Sequence, residues 1–416
     1  MYLRFKQNIS PFYIFIFSFF IVSQLGKHFF FNFSYLSGIR IDYLAPTIYF
    51  IDILSLPLIF LSYYQLFSPS VAIKEYARKN FIFLILVMIL VFINYVFAIS
   101  KPLWFYSCAR CIQYVGIFLW FKNNGREKRI YSAVFWGLLI GACFELSLSL
   151  MQLSSRHSLQ GFWYYLGERD FSIFTPGIAK AYFMGKEFLR PYGTFSHPNS
   201  LGGFYLLTYI FILTQRRITH SIMKGIFLFA SSALILISFS RTAIVGYVLV
   251  NLIYFMRSFS LCKICFLAKV LIAFVLIIFT LNISGDLNSL QKRTDFLNKS
   301  VLIIKQAPFT GTGMGSYLIS QHDYPQKFST FFQQPVHNIF LLVFAQLGIP
   351  LSILLFALVF RNIKVFIKKN YLLLPFFCVI LTGSVDHYWI TLPQNLLVLS
   401  ILFGILLPYE KKTSRA

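Results

Sequence analysis

Apolar runs of roughly 17–23 residues recur along this chain, separated by short connections rich in lysine and arginine. That alternation constrains the fold more than any single motif. Each run is long enough to cross a hydrocarbon core of ~30 Å as a helix. Only 12% of the residues are charged, against about 25% in soluble domains. Too little polar sequence remains to cover a soluble surface. The expected fold is therefore all-α and polytopic, a single integral membrane domain over 1–416. About twelve transmembrane helices are expected, near 10–26, 46–66, 81–99, 103–121, 130–150, 198–214, 225–239, 242–256, 270–284, 338–360, 371–385 and 393–409.

A net charge of +24 raises the question of nucleic acid, and the distribution of that charge argues against it. With the N-terminus inside, alternation assigns to the cytoplasm the clusters at Arg4–Lys6, Lys74–Lys79, Lys122–Arg129 and Arg216–Lys224. Those at Arg257–Lys269, Arg361–Lys369 and Lys411–Arg415 follow. They hold 22 of the 37 basic residues, with Glu75, Glu127 and Glu410 as their acidic company. This is the positive-inside pattern, and an even span count puts both termini in the cytoplasm. Ser23-Gln24-Leu25-Gly26-Lys27 is a poor cleavage site, so the first span is expected to stay as a signal-anchor.

Two extracytoplasmic segments are long, 151–197 and 285–337, and loops of that length are uncommon unless functional. In the second, Leu290, Phe296, Leu297, Val301 and Ile304 recur at helical spacing, which predicts a surface helix ending before Pro308. Gly311-Thr312-Gly313-Met314-Gly315 follows as a flexible turn, a weak match to a phosphate cradle because no strand precedes it. Glu168-Arg169-Asp170 is a weak metal seat. None of the six cysteines lies in either long segment, so no disulfide framework is expected; the C-x-x-C pairs 108/111 and 262/265 read as apolar packing. Within the spans, Arg110 is expected to pair with Asp52 or Glu145, because ionisable groups at that depth pair or line a cavity.

Four polar constellations fall on the outside. They are Arg190 with His197, Ser238 to Thr242 around Arg241, Val336-His337-Asn338, and Asp386-His387-Tyr388-Trp389. Arg241 has almost no loop to carry it into water; it either snorkels or contacts phosphate, which a guanidinium matches bidentately. His337 is either satisfied by backbone or takes a hydroxyl proton near neutrality. His197 precedes Pro198 and either caps the next helix or contacts substrate. Asn338, Asp386 and His387 complete the candidate substrate-binding set.

Taken together, these stretches resemble the O-antigen ligase and O-antigen polymerase superfamily of membrane glycosyltransferases. The matching text is Arg190-x-x-Gly193-Thr194-Phe195-x-His197-Pro198-Asn199, Ser240-Arg241-Thr242-Ala243 and Pro308-x-x-Gly311-x-Gly313. It continues with His337-Asn338, Gln346-Leu347-Gly348-Ile349-Pro350, and Asp386-His387-Tyr388 with Thr391 and Gln394. The resemblance implies a C-type glycosyltransferase architecture with a long extracytoplasmic loop before the tenth span, in a bacterial inner membrane. It implies a glycan donor on undecaprenyl diphosphate, a glycan or lipid-core acceptor, and neither metal nor cofactor. By the same resemblance, Arg190 and Arg241 bind the diphosphate and His337 is the base. The acceptor stays open between lipid core, lipid-linked glycan and protein hydroxyl. A transporter or flippase of lipid-linked saccharide or small anions is the rival class; such proteins place polar groups near midplane, often in repeated halves.

Overall fold

A computed structural model describes residues 9–67, 81–183, 186–215, 217–218, 220–257, 271, 274–275, 277–278, 288–361 and 370–407. Most of them are helical, as expected, with three short antiparallel strand pairs in the connections. The expected span 270–284, the Cys262/Cys265 pair and most of the basic clusters lie largely outside the described residues.

The helix Pro198–Thr214 is the axis of the molecule. Nearly every residue from Pro198 to Ile212 is buried, because Ser221–Ile237, Arg241–Arg257, Asn370–Gly383 and Pro393–Leu406 all pack against it. Its small residues permit this. A Cβ on Gly203 would stand 2.3 Å from the Tyr388 hydroxyl, and one on Gly202 would stand 2.7 Å from Ser238 Oγ. The long helix Lys128–Ser155 packs against Pro11–Phe20 and Ser221–Ile237.

Among the described residues, Lys128–Ser155 is the one helix long and apolar enough to cross a bilayer by length and composition. Eight further apolar helices have 10–17 residues. Their outer faces carry large exposed apolar side chains, such as Phe60, Ile82, Phe92 and Phe229. Apolar exposure on that scale suits a lipid surround rather than water.

The expected span 338–360 is two helices, Ile339–Leu347 and Ile349–Arg361, broken at Gly348 with φ 75°. Hydropathy does not reveal such a break, because both halves are apolar. The glycine turn at 311–315 holds the break in place. Thr312 N donates to Ala345 O (2.9 Å), Gly313 N to Gln346 O (3.0 Å), and Gly315 N to Gln346 Oε1 (3.3 Å). Asn94 Nδ2 bridges Thr310 O and Gln346 O from the side. These amides are spent within the protein, so the phosphate-cradle reading of the turn gives way to a packing role.

The surface helix predicted around 290–304 is present as Asn288–Gln306. Phe296 and Ile303 are buried under it, and Ser300 Oγ meets Tyr317 Oη at 2.6 Å. The segment between the first two apolar helices, read from sequence only as a connection, forms a flap. Gly26–His28 pairs with Thr47–Tyr49, and inside that ladder Tyr35–Leu36 pairs with Ile39–Arg40. Ser37 and Gly38 both have positive φ, as a tight two-residue hairpin turn requires.

Of the two candidate partners, Asp52 pairs with Arg110, at 2.6 Å from Nη1 to Oδ1. Gln113 and the Thr47 carbonyl complete the arginine's environment. Breaking a buried pair from one side leaves an uncompensated charge, at a cost of about 3–5 kcal/mol. Arg110→Ala is therefore expected to lower the folded yield in detergent more than Arg110→Ala with Asp52→Ala. Equal losses on size-exclusion profiles would count against the pairing.

Candidate functional site

The Arg190 loop is delivered by the strand pair Lys180–Phe183 and Lys186–Leu189, and it is clamped from the helix Lys128–Ser155. Gln152 Oε1 accepts from Tyr192 N and Gly193 N (3.0 and 2.8 Å), and its Nε2 donates to Gly193 O (3.0 Å). Two turns away on the same helix, Glu145 accepts from Thr194 N (3.1 Å) and Thr194 Oγ1 (2.5 Å). Gly193 has φ 55°, and a Cβ there would sit 1.9 Å from Glu145 Oε2. Only glycine meets both demands. Glu145 is thus bound to this loop rather than to Arg110. Glu168 is buried as well and accepts from Leu159 N, Gln160 N and Gln152 Nε2. Its carboxylate is committed to backbone, which removes the metal-seat reading of Glu168-Arg169-Asp170.

The clamped loop presents Arg190 with two of its three nitrogens fixed. Nε donates to Ser238 O at 3.0 Å and Nη2 to Asn199 Oδ1 at 2.6 Å. Ser238 belongs to the turn before Arg241, a turn that also holds Phe239 at φ 50°. Two of the four constellations therefore meet at this one guanidinium. Burial pushes Arg190 down to about 10, and the charges of Arg293 and Arg241 push the same way against Tyr192 and Asp386. It remains cationic at neutral pH. Arg241 is exposed at the first turn of Arg241–Arg257, close enough for its charge to act on Arg190.

Asn199 joins this group to the last constellation, because its Nδ2 donates to Asp386 Oδ2 at 2.8 Å. The other carboxylate oxygen, Oδ1, lies 3.3 Å from His337 Nδ1 and accepts from the His387 amide at 2.8 Å. A carboxylate on Nδ1 fixes the proton there and leaves the His337 Nε2 lone pair as the acceptor. Burial alone would raise Asp386. The hydrogen bond and charge of His337, with His387 and His197 beside it, hold it well below the usual carboxylate range. His387 Nδ1 meets Thr391 Oγ1 at 2.7 Å, and its ring centroid lies 5.0 Å from that of His337.

The remaining sequence candidates stand beside this chain of contacts. Asn338 caps Ile339–Leu347 by accepting from Phe340 N and Leu341 N (2.9 and 3.0 Å), and it ties to Ser384 O at 3.0 Å. It is a strap that positions His337 next to it. His197 caps Pro198–Thr214 by accepting Asn199 N on Nδ1 at 3.1 Å. That geometry puts its proton on Nε2, so the ring can only donate, which suits an anion. His337, Asp386 and His387 also place three ligand-type atoms within 4.8 Å of one another. Both Asp386 oxygens and the Nδ1 atoms of His337 and His387 are already engaged with one another, Asn199 and Thr391, and Arg190 and Arg293 add positive charge nearby. A cation would have to displace those bonds against that field.

Sequence reading did not nominate Gln152, Asn199 or Arg293 for the site. Asn199 stood inside the quoted motif. Arg293 stood in the surface helix, and its Nη1 donates to Val385 O at 3.2 Å, beside Asp386. Gln152 stood just past the apolar run 130–150 and gave no signal of its own.

The two buried imidazoles give a pH prediction. Burial pushes His387 down to about 3 and His197 well below its usual range. Unfolded, both take up protons near pH ~6.5. Below that value the unfolded chain binds more protons than the folded one, so stability falls as pH drops. The expected slope is about 1.4 kcal/mol per pH unit for each such group, down to its folded value. Asp386, held low in the fold, adds to the loss only below about pH 4. Melting temperature in detergent should decline from about pH 6.5 downward, less steeply for His387→Gln. A profile flat to pH 4.5 would contradict the buried neutral state.

Residues 226–356 match a family model described as O-Antigen ligase, a stretch that includes Arg241, Arg293, His337 and Asn338. Among curated proteins, none matches the chain. The motifs and the family match agree: residues 226–356 of this chain are similar to the O-antigen ligase family, and that match supports the resemblance the motifs carry.

Proposed function

We propose that this protein transfers a glycan from undecaprenyl diphosphate to an acceptor hydroxyl on the extracytoplasmic face of a bacterial inner membrane. The observation that carries this reading is the single hydrogen-bonded chain Arg190–Asn199–Asp386–His337. It joins an anion-binding cation to an oriented base. The family match and the apolar helices support a membrane setting; in this reading the chain makes about twelve spans, with the site outside and both termini in the cytoplasm.

In the proposed step, His337 Nε2 takes the proton of the acceptor hydroxyl. The hydroxyl oxygen bonds to the anomeric carbon as the bond from that carbon to the diphosphate oxygen breaks. The electron pair leaves with the diphosphate, whose charge Arg190 and Arg241 neutralise. Attack from the face opposite the leaving group inverts the anomeric centre. Asp386 keeps the His337 proton on Nδ1 and stabilises the imidazolium that forms, the role an orienting carboxylate plays in other base–carboxylate pairs. No metal is needed, because guanidinium groups aimed at the developing charge supply the electrostatic share.

The test is reconstitution into liposomes with lipid-linked glycan and candidate acceptors, followed by product length. A ladder identifies a polymerase and a single addition a ligase. Neither product, with movement of the lipid-linked glycan across the bilayer instead, would overturn transfer in favour of transport.

A further inference from the structure

Asp386 divides the site into two sides. Its Oδ2 faces Asn199 and, through it, Arg190, whereas its Oδ1 faces His337 and the His387 amide. On the second side three rings stand in series. His337 lies 5.0 Å from His387, and Tyr43 meets His387 edge-on at 5.7 Å and 81°. Tyr43 comes from the flap Gly26–Tyr49, far from the stretch that matches the family.

The flap is anchored, so the ring is held where it stands. Leu44 is buried and its carbonyl accepts from Ser34 Oγ at 3.1 Å. Thr47 N donates to Tyr106 Oη at 3.1 Å, and Phe50 N donates to Leu25 O at 2.8 Å. Tyr43 nevertheless remains 38% exposed. Its hydroxyl takes no hydrogen-bond partner among the described residues, although Asp386 and Arg169 both act on it electrostatically. A tyrosine serving only to pack His387 would bury its ring and satisfy its hydroxyl. This one keeps a free face and an unspent hydroxyl two rings from the base.

We propose that Tyr43 is the acceptor-contacting residue, its ring stacking on the pyranose that carries the attacking hydroxyl, on the side of Asp386 away from Arg190. The inference rests on the transfer reading above and assigns the acceptor to the glycan class. A peptide segment offers no pyranose face, so a protein hydroxyl fits this wall poorly. The exposed guanidinium of Arg169, which donates to Ser196 O at 2.9 Å, stands at the same mouth.

The experiment uses membrane vesicles from cells that make the chain's own donor and acceptor. Attached glycan and glycan released to water are both counted by mass spectrometry. Tyr43→Ala should lower attached glycan at least tenfold while released glycan stays within about twofold, because water needs no stacking wall. Tyr43→Phe, which keeps the ring, should stay within about threefold of wild type on both counts. Unchanged attachment in Tyr43→Ala overturns the proposal. So does a parallel fall of both products, which would make Tyr43 a prop for His387. A wild-type chain that yields neither attached nor released glycan defeats the transfer reading itself, a result separable from either of these.

Discussion

His337→Ala is expected to abolish glycan transfer while the protein still inserts and still binds its lipid-linked donor. A positioned general base typically contributes 10²–10⁴-fold. The imidazole is the one group in the described site with a free lone pair beside the carboxylate that orients it. Donor binding should survive, because the ring bonds to Asp386 and not to either arginine, and Asp386 keeps its bond to Asn199. Asp386→Asn should lose nearly as much turnover. An amide can present its NH₂ to Nδ1, which moves the ring proton to Nε2 and removes the acceptor. The decisive comparison is turnover against donor affinity in the same reconstituted samples. Residual turnover within tenfold of wild type in His337→Ala would remove the base assignment.

Arg190→Lys is the second large effect, and it should be worse than Arg241→Lys. Both changes keep the charge and lose the planar fork. A charge-assisted hydrogen bond contributes about 1.5–3 kcal/mol, so losing one should weaken donor binding roughly 10–100-fold. Arg241 is exposed at a helix start and is not part of the chain of bonds that runs to Asp386 through Asn199. At Arg190 the fork also holds Ser238 O and Asn199 Oδ1, and Asn199 in turn holds Asp386. A lysine cannot make both bonds in that geometry, so the carboxylate behind His337 loses its support. Turnover should fall together with donor affinity for Arg190→Lys, and donor affinity alone should fall for Arg241→Lys. Isothermal binding of a non-transferable donor analogue, set beside initial rates, separates the two. Equal kinetic profiles for the two variants would show that Asn199 does not relay Arg190 to Asp386.

Much of the site was legible in the sequence because polar residues between apolar runs are few. Arg190, Arg241, His337 and Asp386 stood out for that reason, and alternation placed them on one side before any coordinates. Their order in the contact chain was not legible. Asp386 read as a substrate contact, yet its oxygens are shared between Asn199 and His337. Asn338 read the same way and turned out to spend its amide on a helix cap and a strap. The glycine turn looked like a phosphate cradle because its spacing matched, and its amides proved to be committed to Ala345 and Gln346. Spacing reports which backbone conformations are available. It does not report which carbonyl arrives opposite.

The sequence by itself determined the helical class, the apolar faces and the set of candidate groups, since burial of apolar runs and the cost of placing charge in lipid are local and additive. It also determined the surface helix Asn288–Gln306, whose apolar spacing is a property of 19 consecutive residues. Only the tertiary structure decided the break at Gly348, the partner of Arg110, the clamp of Gln152 and Glu145 on the Arg190 loop, and the approach of Tyr43 to His387. Each of these depends on segments apart in the chain meeting in direct contact. Such meetings depend on how the elements pack, as at Gly202 and Gly203, where the missing Cβ atoms let Pro198–Thr214 approach Ser238 and Tyr388, and no local pattern encodes them.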